Sequence, residues 1–302
     1  MAETGTVAIT GATGYIGGLL TRRFLEAGWD VVALRRRPPG AAVTGDRAGE
    51  VTATGVQERP FVLGEPLPPT TLDGVQALVH CAYDLALIDP AEIEQVNVLG
   101  TLRVLDAAAA AGIKRVILVS SMSAYEGTAQ VYGRAKLACE RAVLEFGGAA
   151  IRLGLVYGPG DGGMAGALRK LMSLPLVPLL AGDSHQFTVH EDDAAAGLLE
   201  VTRSGDSLCD PAGLPDPIGL AHPEPVPFRR LLDGLARQSR LRPRFVPVPW
   251  PPVHVAMRTA ERIGVRLPVR SDSLLGLVHP APFVPGVEVW ARLGVPLRRF
   301  DL

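Results

Sequence analysis

Three glycines spaced Gly11-x-x-Gly14-x-x-Gly17 stand where an apolar run, Val7-Ala8-Ile9-Thr10, gives way to a helical pattern beginning at Tyr15. That placement turns a weak motif into a strong constraint on the fold. The first glycine permits a tight turn, the second lets backbone N–H groups approach an anion, and the third lets the helix pack against the strand. A helix N-terminus also favours negative charge. The segment is therefore expected to cradle a dinucleotide pyrophosphate through Gly11, Thr13, Gly14, Tyr15, Ile16 and Gly17.

Downstream, short β-rich runs alternate with amphipathic stretches, the signature of βαβ units and a parallel sheet. Strands are expected near Val7–Thr10, Val31–Leu34, Pro60–Leu63, Ala77–His80, Val116–Ser120 and Ala149–Leu153. Helices are expected near Tyr15–Ala27, Ala91–Ala111 and Tyr132–Phe146. After Gly158-Pro159-Gly160 the alternation fades and prolines crowd the chain from Pro211 to Pro252. The expected architecture is α/β: a doubly wound parallel Rossmann sheet with a smaller C-terminal substrate-binding lobe. Residues 1–158 form the dinucleotide-binding domain, with 185–212 packing back onto it as a strand end, a helix and a late strand at Ser207–Asp210. Residues 159–184 and 213–302 form the lobe.

Composition removes several function classes. A net charge of −1 over 302 residues gives no general attraction to nucleic acid. Cys81, Cys139 and Cys209 are far apart and lack metal-ligand spacing, so neither a disulfide framework nor a metal site is expected, and a reducing cytoplasm is. The apolar stretch from Leu171 to Leu180 carries Pro175 and Pro178 and falls short of the roughly 20 residues a membrane span needs. No membrane association follows from it, and no secretory signal precedes Val7.

Cofactor choice turns on the end of the second strand, where an NAD-preferring fold carries a carboxylate for the ribose hydroxyls. Here Arg35, Arg36 and Arg37 follow Leu34. A guanidinium pairs in bidentate fashion with a 2′-phosphate, which a carboxylate would repel. NADP(H) is expected, with NAD as the alternative.

The run Tyr132-Gly133-Arg134-Ala135-Lys136 sets a phenol and an ammonium four residues apart on one helix face. A phenol titrates near 10 and is a poor base at neutral pH unless a cation stabilises the phenolate, which Lys136 would do. Tyr132 could then exchange a proton with a carbonyl oxygen during hydride transfer. Ser121, just past the strand Val116–Ser120, could hydrogen-bond the same oxygen; Ser123 lies in the same turn as a substitute. His80 and His190 read as satisfied strand-end residues, and Asp192-Asp193 as a charged first helical turn.

With these motifs in order, the chain resembles the extended short-chain dehydrogenase/reductase family of epimerases and dehydratases. The resemblance rests on Thr10-Gly11-x-x-Gly14-x-x-Gly17, Val79-His80-Cys81-Ala82, Asn97-Val98-x-Gly100-Thr101, Ser120-Ser121, Tyr132-x-x-x-Lys136, Arg152 leading to Val156-Tyr157-Gly158-Pro159-Gly160, and Val189-His190-x-Asp192-Asp193. It implies that Ser121, Tyr132 and Lys136 are the catalytic trio, with Lys136 also touching the nicotinamide ribose. It implies further that His80, Cys81 and Ala82 line the cofactor groove, that Asn97 approaches it, that Glu65 stands near the adenine in place of the family's usual Asp, and that Val119 and Leu155 complete the set. A homodimer is also expected from the family.

Departures from the family pattern point to the substrate. Nucleotide-sugar members place an Asn at the position of Leu155 to contact a diphosphate, and an Arg near His185-Gln186-Phe187. No Asp-Glu pair adjoins Ser121, which disfavours sugar dehydration. Apolar residues of the lobe, including Trp250, Met257, Leu274, Leu275, Pro282 and Phe283, would surround a small or hydrophobic carbonyl compound or else form core. The expected function is NADP(H)-dependent reduction or oxidation of such a small-molecule substrate. The alternatives are an epimerase that returns its hydride within the cycle, possible for a sugar or nucleotide sugar, and a non-catalytic dinucleotide sensor.

Overall fold

A computed structural model describes residues 4–36, 55–160, 162–180, 182, 184–204, 217–265, 267 and 269–301. The chain begins with β1 (Thr6–Thr10), α1 (Tyr15–Glu26), β2 (Asp30–Arg35), β3 (Val56–Pro60) and β4 (Ala77–His80). There follow α2 (Pro90–Ile93), a π-helical turn at Glu94–Val98, α3 (Leu99–Ala110), β5 (Arg115–Ser121), α4 (Val131–Glu145) and β6 (Ala149–Leu153). The remainder comprises β7 (Leu155–Tyr157), α5 (Gly163–Leu171), β8 (Leu176–Leu179), β9 (His185–Gln186), β10 (Thr188–His190) and α6 (Glu191–Ser204). Last come β11 (Ile218–Leu220), β12 (Val226–Pro227), α7 (Phe228–Gln238), β13 (Arg244–Pro247), α8 (Trp250–Arg262), α9 (Ser271–Val278) and α10 (Glu288–Arg292).

Seven parallel strands order as β11-β6-β5-β4-β1-β2-β3. The strands are apolar on both sides because each face is covered. Val7, Ile9, Val31, Val79, Ile117 and Ile151 turn toward one layer of packing that includes Leu20 and Phe24 of α1 and Leu198 of α6. Ala8, Val32, Leu78, Val116 and Leu118 turn toward the other, with Val104 of α3 and Val143 of α4. This is the doubly wound α/β architecture the sequence predicts. The strand order reverses between β1 and β4, and the crevice at their carboxyl ends is where such sheets bind ligands.

Two strands differ from expectation. The third covers Val56–Pro60 rather than Pro60–Leu63; it is an outer strand, and its Gln57, Glu58 and Arg59 conceal it among polar residues. Its proline falls at its last position, where no further ladder bond is needed. The late strand expected at Ser207–Asp210 lies outside the described residues, and Ile218–Leu220, read as part of the lobe, pairs with β6. The helix expected over Ala91–Ala111 is interrupted by the π-helical turn.

A separate apolar cluster gathers α5, α7, Val177 and Phe300 around Leu231 and Leu235, and it forms the core of the C-terminal part. There β8 pairs with β13, and α8 packs on α9.

Candidate active site

The glycine turn is shaped by close approach. Gly11 takes φ +66°, a left-handed conformation that glycine adopts without strain, and a Cβ there would come within 3.0 Å of the Ala82 backbone. A Cβ on Gly17 would lie 2.2 Å from the Gly11 carbonyl oxygen, whereas one on Gly14 would meet only that oxygen, at 3.2 Å. Thus Gly17 serves packing, and Gly14 keeps the outer surface of the turn open. Helix α1 starts at Gly14 with no side-chain cap and no carboxylate in its first turn. An uncapped helix N-terminus at the sheet's crevice fits a pyrophosphate. Thr13 and Gly14 are exposed, and Tyr15 and Ile16 are half-buried.

Tyr15 extends away from the turn to donate a 2.5 Å hydrogen bond to Oε2 of Glu191, at the start of α6. The same oxygen receives the Gly160 N–H, and a Cβ at Gly158, Gly160 or Gly162 would strike Glu191 or Tyr15. Sequence reading passed over Glu191 in favour of its neighbours. Asp193 is instead buried against Arg298, whose Nε is 2.7 Å from Asp193 Oδ1.

Behind the turn runs a buried polar chain. The Thr10 hydroxyl accepts the N–H groups of Cys81 and Ala82 and sits 2.7 Å from His80 Nδ1. Its proton therefore goes to Nδ1, leaving His80 Nε2–H to donate to Thr101 Oγ1, which in turn donates to the Asn97 carbonyl. Burial, with a smaller contribution from the Lys136 charge, pushes His80 down to about 3, so it is neutral. His80 is fully engaged and buried. Asn97 stands in the π-helical turn, and its Oδ1 accepts the Asp84 N–H at 2.7 Å, pinning the loop after β4. Such turns recur at functional sites.

The three predicted catalytic groups meet. Ser121, at the end of β5, lies near enough to Tyr132, at the start of α4, to act on its phenol, and Lys136 lies one turn further along. The lysine is buried, donates to the Val119 carbonyl at 2.8 Å, and stands 4.9 Å over the ring of Tyr83. Tyr83 meets Tyr132 edge-on at 4.9 Å. Burial pushes the Tyr132 phenol up to about 12, and the Ser121 hydroxyl is the influence that opposes it. The four-residue spacing of Tyr132 and Lys136 predicts that opposing role for the Lys136 charge. In the structure the ammonium is instead directed to Val119 and Tyr83, and burial lowers its own pKa.

Other predicted residues occupy different parts of the groove. Cys81 and Ala82 border the glycine turn, and burial raises the Cys81 thiol to about 12, which keeps it protonated. Leu155 begins β7 and is half-buried, while Glu65 is exposed in a turn closed on the Val62 carbonyl. Arg35 ends β2 and pairs at 2.8 Å with Glu58 on β3; Arg36 is exposed beside it. Arg37 lies outside the described residues.

Two residues that sequence reading missed complete the site. Tyr83 supplies the ring between Tyr132 and Lys136; its place directly after His80-Cys81-Ala82 was the available signal. Asp272 of α9 accepts the N–H groups of Val131 and Tyr132 at 2.8 and 3.0 Å. Nothing local to α4 indicated it, because α4 has no cap from its own preceding residue. Arg270 reaches the Leu85 carbonyl, so α9 spans the loop after β4 and the start of α4. Of the apolar residues expected near substrate, Leu274 is buried, Trp250 and Met257 are half-buried, and Phe283 is 65% exposed.

Several known proteins resemble this chain in sequence or fold. A ceramide reductase of Caulobacter vibrioides is 34% identical over 206 residues, 66% of this chain and 62% of that protein. The chain thus spans about three fifths of that reductase, and 23% of a Mycobacterium tuberculosis protein to which it is 27% identical over 231 residues. A dTDP-6-deoxy-L-talose 4-dehydrogenase (NAD(P)(+)) of Kitasatospora kifunensis is 26% identical over 273 residues, covering 81% of this chain and 82% of that one. The fold matches MoeE5 in complex with UDP-glucose and NAD, with a TM-score of 0.69 and 22% identity over 98% of this chain and 94% of that one. The model of the NAD dependent epimerase/dehydratase family matches residues 7–208, and the chain belongs to that family, whose enzymes are of the extended short-chain dehydrogenase/reductase type.

Proposed function

We propose that this protein is an NADP(H)-dependent ketoreductase or alcohol dehydrogenase acting on a hydrophobic carbonyl compound. The observation that carries this reading is the gathering of Ser121 at the end of β5 and Tyr132 near the start of α4, with Lys136 buried one helical turn further along. The groove would hold the dinucleotide with its pyrophosphate on the Gly11–Gly17 turn and its 2′-phosphate near Arg35 and Arg36. When bound, the cofactor supplies or accepts the hydride. Ser121 holds the substrate oxygen, and the protonated Tyr132 phenol, beside Ser121, delivers its proton to that oxygen. Lys136, one helical turn from Tyr132 and held by the Val119 carbonyl, would supply positive charge to that step.

Support for the substrate class comes from Leu155, a carbon side chain where nucleotide-sugar enzymes place an amide, and from similarity to a protein named for ceramide reduction. Chain segments 159–184 and 213–302, apart from β11 in the sheet and Val289, Trp290 and Val295 packed into its core, would enclose the substrate. Incubation with NADPH and a panel of long-chain ketones, followed by loss of absorbance, tests the reading. Net NADPH consumption by the wild type and none by Tyr132→Phe is the expected result. Substrate isomerisation without net consumption would point to an epimerase, and equal turnover by Tyr132→Phe would overturn the assignment.

A further inference from the structure

The chain has a net charge of −1, yet the stretch from Pro225 to Arg270 carries ten arginines against Asp233 and Glu261, a net charge of +8. Most of these arginines that the structure describes are exposed. Arg230, Arg240, Arg242 and Arg244 are exposed in and after α7, and Arg258 and Arg262 are exposed on α8. The two carboxylates are engaged: Asp233 pairs with Arg229, and Glu261 accepts the backbone N–H and the hydroxyl of Ser271.

Apolar side chains are exposed on the same elements. No residue of α8 is fully buried. Its half-buried positions, including Trp250, Val253 and Met257, recur at helical spacing and form the face toward α9. The opposite face presents Val255 at 64% exposure, and Ile263, directly after the helix, is 76% exposed, with Arg258 and Arg262 between them and no carboxylate. Just before α8, the register of β13 on β8 puts Leu176 beside Arg244 and Pro178 beside Val246. These alternate with Val177 and Phe245, which turn to the core. Leu176 is 58% exposed and Val246 43%.

We propose that the outer face of α8, with Val255, Arg258 and Arg262 and with Ile263 directly after it, docks the protein on an anionic lipid bilayer, with α8 lying in the headgroup plane. Paired cationic and apolar exposure on one helix face is what an interfacial helix requires: aliphatic groups enter the acyl boundary while guanidinium groups meet lipid phosphates. Nucleic acid would meet the arginines but leave Val255 and Ile263 without a partner. No helix among the described residues is long and apolar enough to cross a membrane, so the contact is peripheral. This surface departs from the sequence expectation, which had no membrane partner. Because α9 connects α8 to the start of α4, the docked lobe is the one that adjoins Tyr132. The proposal does not depend on the ketoreductase reading, since its test measures binding alone.

The full chain should co-sediment with vesicles of phosphatidylcholine and phosphatidylglycerol and much less with phosphatidylcholine alone, and added salt should weaken the association. The double variant Val255→Glu/Ile263→Glu, checked by circular dichroism for an unchanged melting profile, should bind about tenfold more weakly or worse. Arg258→Gln/Arg262→Gln should reduce the preference for phosphatidylglycerol. Failure to sediment with either vesicle overturns the proposal, as does binding unaffected by the paired glutamates. Self-association of the wild type that the glutamates abolish, without vesicle binding, would assign the face to a second copy of the chain and also overturn it.

Discussion

The carboxylate of Asp272 caps, from a helix 140 residues away in sequence, the backbone N–H of Tyr132, whose phenol is the proposed proton donor. It takes the Val131 N–H as well, and Gln130 Nε2 donates to the Asp272 carbonyl. The first turn of α4 is thereby fixed to the lobe. A negative group at a helix N-terminus also offsets the positive end of its dipole.

Replacing Asp272 with Ala should cost about 0.5–2 kcal/mol of stability, the usual range for losing a cap. If the cap positions Tyr132, kcat should fall more than KM rises, and Asp272→Asn, which keeps one acceptor oxygen, should recover part of both. Thermal unfolding together with steady-state kinetics distinguishes this from a purely structural role, in which stability falls and the remaining folded enzyme turns over normally.

The glycine turn yields a prediction with two opposite outcomes. Gly17→Ala puts a Cβ against backbone on two sides, where nothing flexible can yield, so the protein should lose several kcal/mol or fail to fold. Gly14→Ala meets a single oxygen at 3.2 Å and should fold with little loss. Its added methyl would face the pyrophosphate, so the dissociation constant for NADPH should rise at least about tenfold, which is about 1.4 kcal/mol. Titrating nucleotide fluorescence against both variants checks the pair, and a Gly14→Ala variant of wild-type affinity would remove the phosphate from this turn.

The glycine turn, the strands at β1, β2, β4, β5 and β6, and the trio at Ser121, Tyr132 and Lys136 were legible because local pattern fixes each. Apolar runs buried on both faces stand out, and Tyr132 and Lys136 meet on one helix turn whatever else the chain does. β3 was misplaced because Gln57 to Arg59 follow solvent at the sheet's rim rather than a buried pattern. Asp272 and Tyr83 were missed for a different reason: their importance lies in contacts with α4, and sequence spacing does not encode which distant acid will reach a helix end. The phenol's environment was also misjudged, since spacing reveals a neighbouring charge but not the desolvation that outweighs it.

His80 makes acid stability a test of the buried chain. Its pKa falls from 6.5 to about 3 on folding, so the unfolded chain binds the extra proton between those values. Stability therefore drops as pH falls through that window, by up to about 1.4 kcal/mol per pH unit from this group. A His80→Gln variant should be less stable near pH 7 but should lose less on acidification from pH 6.5 to pH 4. Equal slopes in denaturant unfolding would show that His80 is not the group responsible.

On the proposed chemistry, Tyr132 should set the pH dependence of turnover. With its phenol held at about 12, the protonated form predominates throughout the neutral range. Carbonyl reduction, which uses that proton, should be level from about pH 6 to pH 9, whereas alcohol oxidation needs the phenolate and should rise with pH across the same interval. Ser121→Ala removes the hydroxyl that opposes burial, so the phenol pKa should rise further and the oxidation profile should shift to higher pH. Lys136→Met should act in the same direction only if the lysine charge reaches the phenol once substrate and cofactor are bound. A shift in the Lys136→Met profile as large as that in Ser121→Ala would restore to the lysine the influence that the free protein assigns to the serine, and an oxidation rate independent of pH in the wild type would remove Tyr132 from the proton transfer.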